Sequence, residues 1–100
     1  MKSILAKKEV KVLTSEDLGV WFIIFSCGDT RNTDYGWGTR NKDEFSKEQA
    51  RKSGKFAAQR MGEQRYNYFV VDRVYVTDSL PAFKKQCQKV GLKPNLSDFE

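Results

Sequence analysis

One run constrains the fold of this chain more than any other: residues 20–27, VWFIIFSC. Trp21, Ile23 and Phe25 make one face of it apolar, and Val20, Phe22 and Ile24 do the same for the other. A strand of that kind is usually central and covered on both sides. Its length and its β-branched and aromatic content select a strand over a buried helical segment.

The remaining elements arrange themselves around this strand. Residues 7–13, KKEVKVL, alternate apolar and charged positions and predict a half-exposed edge strand. Residues 28–42 are turn-forming throughout, and fifteen residues of bare loop would be unusual in a domain of this size. GDTRNTD is therefore expected to turn a hairpin and residues 35–39 to return as a short strand, with Tyr35, Trp37 and Thr39 on one face and Gly36 and Gly38 on the other. Residues 66–77, YNYFVVDRVYVT, read as a second strong strand. Asp72 and Arg73 interrupt one face each, which either a local bulge or an emergence from cover partway along the strand would explain.

Two helices complete the pattern. Residues 45–65 place Ala50, Ser53, Gly54, Ala57 and Met61 on one side, with Phe45 and Phe56 at its edge. Ser46 and Gln49 have capping-box spacing at the start, and Gly62 is a natural stop. Residues 78–91 carry a cap at Asp78 or Ser79, Pro81 in the first turn, an apolar seam of Leu80, Phe83, Cys87 and Val90, and Gly91 as a terminator. Lys84, Lys85 and Lys89 fall outside that seam, and residues 95–100 read as a frayed tail from which Leu96 or Phe99 could dock. The expected class is α+β: a small antiparallel sheet in the order β-β-β-α-β-α, with the two helices packed mainly on one face, forming a single domain over all 100 residues.

Composition removes many functions. With no histidine, Ser-His-Asp and Cys-His nucleophile systems and histidine-ligated zinc are excluded. Cys27 and Cys87 are sixty positions apart, outside any paired motif; two buried thiols are expected, with a single disulfide left open. The first ten residues lack a signal-peptide core and no apolar run reaches membrane-spanning length, so a soluble, cytoplasmic protein without membrane contact is expected. The Gly36–Gly38 pair lacks the remaining glycines of a phosphate loop, and no cofactor is expected. The one enzymatic alternative is a metal-dependent nuclease drawing magnesium ligands from Asp29, Asp34, Asp43, Glu44 and Asp72.

What remains is charge. The chain carries a formal +5 at pH 7, which favours acidic partners. Lys47, Arg51 and Lys55 line up at i, i+4 and i+8 as a basic ridge, joined by Lys52, Arg60 and Arg65 and by Arg31, Arg40 and Lys42 upstream. Such a ridge can touch successive phosphates, and Tyr35 and Trp37, if exposed, can stack on bases, although the aromatic face they share reads more readily as core. The same aromatics ringed by Arg31 and Arg40 would equally make hot spots for a protein partner.

The segment GTRNKDEFSKEQARKSGKFAAQRM (residues 38–61) resembles the helix of AP2-type and arm-binding integrase domains, where a three-stranded sheet leads into a helix with a Ser/Thr cap, acidic residues and alanines. Through Ser46, Lys47, Ala50, Ala57 and Ala58 it also resembles the Ser-Lys-x-x-Ala helix of double-stranded-RNA-binding domains. Each resemblance covers about a quarter of the chain, the spacing from Ala50 to Ala57 is wider than the RNA-binding pattern, and no functional residue is carried over. The function expected from the sequence is a small non-enzymatic basic binding module of the kind carried by phages or mobile elements. It would bind or block a larger protein or protein–nucleic acid complex, an acidic macromolecule in either case. The alternative is direct nucleic-acid binding through the basic helix 46–61.

Overall fold

In the computed structural model, which describes residues 18–99, Val20–Gly28 (β1) is the middle strand of a three-stranded sheet. Thr33–Asn41 (β2) pairs with it on one side and Val70–Thr77 (β3) on the other, both antiparallel. Between β2 and β3 runs the helix Lys47–Arg65 (α1); after β3 come the helix Leu80–Val90 (α2) and a 3₁₀ turn at Ser97–Phe99. The α+β class, the antiparallel sheet and the two helices are those the sequence implies. The edge strand expected at 7–13 lies outside the described residues.

The β1–β2 turn is held by Asp29. Its Oδ1 accepts the backbone N–H groups of Arg31 and Asn32, both at 2.8 Å, and Asp29 N donates to Asn32 O at 3.0 Å. That geometry starts β2 two residues earlier than expected and carries it through Asn41. In the register, Trp37 stands opposite Ile24 and Gly36 opposite Phe25, whose ring covers the glycine.

α1 opens on the expected capping box: Gln49 N donates to Ser46 Oγ at 3.1 Å, and Ser46 N to Gln49 Oε1 at 2.8 Å. Its buried row is Ala50, Gly54, Ala58 and Gly62, at strict i, i+4 spacing. Ser53, Ala57 and Met61, expected at the seam, are only half-buried. Gly62 does not stop the helix. It is the last member of the buried row and gives Phe69 room to lie against the helix, which continues to Arg65.

The second strand is shorter than the sequence suggests, beginning at Val70 rather than at residue 66. The interruption is a bulge: Phe25 faces Val74 but Cys27 faces Val71, so Asp72 and Arg73 share the single position opposite Ser26. Both charged side chains emerge exposed. α2 is capped by Ser79, whose Oγ accepts Ala82 N at 3.2 Å. It ends at Gly91, with φ of 82° and Leu92 N donating to Cys87 O at 2.9 Å.

The helices occupy opposite faces of the sheet, not mainly one. On the first face, Ile23, Val74 and Val76 meet Ala50 of α1. On the second, Phe22 and Ile24 meet Phe83 and Cys87 of α2 together with Leu96. The reason lies in the connections. β2 and β3 are both antiparallel to β1, hence parallel to each other, and α1 crosses β1 to join them. The other face of β1, equally apolar, is left for α2. Nor is the tail frayed over its described residues. Leu96 is buried, and Phe99 sits edge-on to Phe22 with ring centroids 5.2 Å apart, because the second face needs more cover than an eleven-residue helix gives.

Candidate binding surfaces

The buried row of α1 decides where its cations point. Residues two positions on from that row, Lys52, Phe56 and Arg60, lie on the far side of the helix, since each step turns the chain about 100°. Residues one position on, Arg51 and Lys55, lie on a flank. The ridge Lys47–Arg51–Lys55 is therefore not the outermost row. Arg51 turns toward the sheet, its Nη1 donating to Val74 O at 3.3 Å and its Nε lying 3.5 Å from Glu48. Lys47 and Lys55 are exposed.

The outermost row has an unexpected centre. Phe56 is 62% exposed, with Lys52 and Arg60 exposed one turn to either side and the Arg60 guanidinium 5.6 Å from its ring centroid. The sequence places Phe56 at the edge of the buried side because hydrophobicity alone argues for burial. The row of small residues one turn apart was the better signal.

Of the residues upstream, two leave the surface. Trp37 packs into the second face, its ring 5.8 Å from that of Phe83. Arg40 is half-buried, donating from Nη1 to Thr39 O at 2.7 Å and lying over the Phe45 ring at 5.7 Å. For Trp37 this is the core reading that its face of the strand favoured over exposure; Arg40, a candidate contact from the sequence, is engaged within the fold. Tyr35 is 37% exposed and Arg31 is exposed on the turn. Lys42 is held by Asp78 at 2.8 Å and lies 4.6 Å from the Trp21 ring centroid.

Arg31 and Arg65 belong to a second feature, an open groove of about 830 Å³ between the β1–β2 turn and the segment joining α1 to β3. Asn32, Tyr66, Tyr68 and Phe69 help to line it, and Tyr68 is 87% exposed. The groove is not a trough of positive charge. Arg65 Nη1 is 3.1 Å from Asp34 Oδ2, and turn amides hold the Asp29 carboxyl below its ordinary pKa. Partial burial, with the Asp34 carboxylate second, pushes the Tyr66 hydroxyl up.

The acidic residues considered for magnesium are dispersed: Asp29 on the turn, Asp34 paired to Arg65, Asp43 and Glu44 before α1, Asp72 in the bulge. Among the described residues, no three of His, Cys, Asp and Glu are grouped so as to hold a metal ion, and no helix is long and apolar enough to cross a membrane. Cys27 and Cys87 are both free and buried, and the sheet stands between them: Cys27 is on the α1 side and Cys87 on the α2 side.

No protein-family model matches this chain, and neither a curated protein nor a solved structure matches it. The resemblances of residues 38–61 therefore rest on the end of β2, the loop after it and most of α1.

Proposed function

We propose that this chain is a non-catalytic binding module that docks on an acidic protein surface through the outer face of α1. Phe56 is the anchor, and Lys52, Lys55 and Arg60 are the cationic rim. The observation that carries the reading is Phe56 itself, a large apolar ring 62% exposed in the middle of a nineteen-residue helix. Leaving such a ring in water forgoes about 1.5–3 kcal/mol of burial. An aromatic anchor ringed by cations is the usual make-up of a protein hot spot. Phosphate contact alone would have no use for the phenyl ring. By occupying an acidic pocket on a larger protein, or on a protein–nucleic acid complex, such a module acts by blocking or tethering.

The test is recovery of partners from an extract of the cells that make the protein. Wild type is compared with Phe56→Ala and with the pair Lys52→Glu and Arg60→Glu. The reading expects a protein retained at moderate salt by wild type and lost by both variants. A partner held equally by Phe56→Ala overturns it. So does duplex DNA or RNA binding that the α1 charge reversals abolish, which would instead support direct nucleic-acid binding by this helix.

A further inference from the structure

The opposite side of the molecule carries a different kind of basic surface. From Ser79 to Ser97, nineteen residues, there is no acidic side chain and there are four lysines: Lys84, Lys85, Lys89 and Lys93. All four are exposed. Lys85, Lys89 and Lys93 make no ion pair among the described residues. The nearest acid in the chain before them, Asp78, is engaged by Lys42. Phe83, Cys87 and Leu96 are all turned into the core, so the lysines stand on the side of α2 facing away from the sheet. Lysine near a helix C-terminus offsets the helix dipole, and that accounts for one of them. It does not account for four exposed lysines running from the second turn of α2 past Gly91, with no acid in the chain until Asp98.

We propose that the outer face of α2, with the turn that follows it, is a second docking surface, and that its occupant is the phosphodiester backbone of nucleic acid. Three observations select that occupant. Between Asp78 and Asp98 the segment's own charges are of a single sign, complementary to a polyanion. It has none of the exposed large apolar side chains found elsewhere on the protein, at Leu18, Tyr35, Phe56, Tyr68 and Val70. An anionic membrane is gripped by basic residues together with apolar ones that insert. Finally, its cations are all lysine. Lysine is a mobile point charge suited to phosphate, whereas bidentate base reading and protein hot spots draw on arginine and aromatic rings. The contact is therefore independent of sequence and strongly dependent on salt. The α1 and α2 surfaces face away from each other across the sheet, so one molecule can hold a protein on one side and a nucleic-acid backbone on the other.

The experiment is a fluorescence-anisotropy titration of the full chain against labelled duplex DNA, duplex RNA and single-stranded DNA at about 50 and 200 mM salt. Wild type is compared with the pair Lys85→Glu and Lys89→Glu, with the milder pair Lys85→Gln and Lys89→Gln, and with Lys52→Glu and Lys55→Glu on α1. Three phosphate contacts give a log–log salt slope near −2.7 on duplex DNA, about a forty-fold weakening across that range. The α2 variants should bind more weakly and retain only about a four-fold salt effect, while the α1 pair keeps the wild-type slope. The Gln pair keeps the comparison meaningful if the Glu pair perturbs the helix, which circular dichroism reports. Absence of binding at the lower salt overturns the proposal. Loss with the α1 pair but not with either α2 pair does so too, as does α2-dependent binding to phosphatidylserine vesicles without binding to any nucleic acid. None of these titrations depends on Phe56 or on a protein partner, so absence of nucleic-acid binding, or binding to vesicles alone, overturns the α2 proposal and leaves the α1 reading standing. Loss with the α1 pair overturns both, and loss of a protein partner in Phe56→Ala bears on α1 alone.

Discussion

Gly54 sits so close to Val74 that a Cβ added to the glycine would lie 2.6 Å from Val74 Cγ1, with Ile23 Cγ2 at 2.8 Å. Helix α1 approaches the sheet as far as it does because this position has no side chain. Two effects then oppose each other in Gly54→Ala. Alanine is better than glycine in a helix interior by about 1 kcal/mol. Overpacking a filled core costs about 1–3 kcal/mol, and here the obstructing atoms are branched side chains buried under the helix, with little freedom to move. Strain wins. Gly54→Ala should lower stability by about 1–2 kcal/mol in urea unfolding. An unchanged or raised midpoint would mean that α1 can lift from the sheet at no cost.

The Lys42–Asp78 pair links the end of β2 to the start of α2 and gives a prediction in pH. The hydrogen bond from Lys42 is the main reason that the Asp78 carboxyl titrates below its ordinary range; burial opposes it, and the Lys42 charge adds to the lowering. A folded-state pKa below the unfolded value stabilises the fold above the unfolded pKa, near 3.8, and that stability is lost as pH falls through the folded value. Both side chains keep partial exposure, so the contribution is about 1 kcal/mol or less. Asp78→Asn should be less stable than wild type at pH 7, with the gap closing below about pH 4. A gap that persists undiminished at pH 2 would assign the loss to packing or capping instead.

Much of this fold can be read from particular residues, and the parts that cannot have definite physical causes. The two apolar faces of β1 announced a covered central strand, Asp72 and Arg73 marked a break in β3 without deciding between a bulge and an emergence from cover, and Ser46, Gln49 and Gly91 marked helix ends. The choice of face for each helix was not visible, because Phe22 and Ile24 on one side and Ile23 and Phe25 on the other are equivalent as hydrophobic surface. The buried row of α1 was blurred for a related reason. Ala57 and Ala58 are adjacent and alike, and only their distance from a neighbouring strand decides which is inside. Phe56 was placed by its hydrophobicity, Trp37 and Arg40 by their chemistry. For all three, the deciding fact is the orientation of a neighbouring backbone, which one sequence does not display.

That outcome turns two aromatics into a paired test. Trp37 packs against Phe83 and is only partly buried, so Trp37→Ala should cost about 2–3 kcal/mol, somewhat below the full cavity penalty for a large aromatic. Phe56→Ala should leave stability within about 0.5 kcal/mol of wild type while removing partner binding. Urea unfolding of both variants beside a binding measurement separates the roles. Equal destabilisation by the two would place Phe56 in the core and withdraw the α1 anchor.

The thiols offer a probe of each face separately. Burial pushes the Cys27 thiol up, with the Asp34 carboxylate adding and Arg65 opposing, and burial alone pushes up Cys87. Reactivity requires thiolate and access, and both are withheld in the folded state. A thiol reagent at pH 8 should therefore label neither cysteine at the rate of a free thiol. Labelling should proceed through opening, with Cys87 exposed when α2 and the 96–99 segment lift away and Cys27 exposed when the α1 side opens. α2 is the shorter helix, so Cys87 should label first, and Leu96→Ala, which loosens the cover over it, should speed Cys87 without speeding Cys27. Site-resolved mass spectrometry over a labelling time course reads both rates. Simultaneous labelling in every variant would show that the two faces open together, as one cooperative unit.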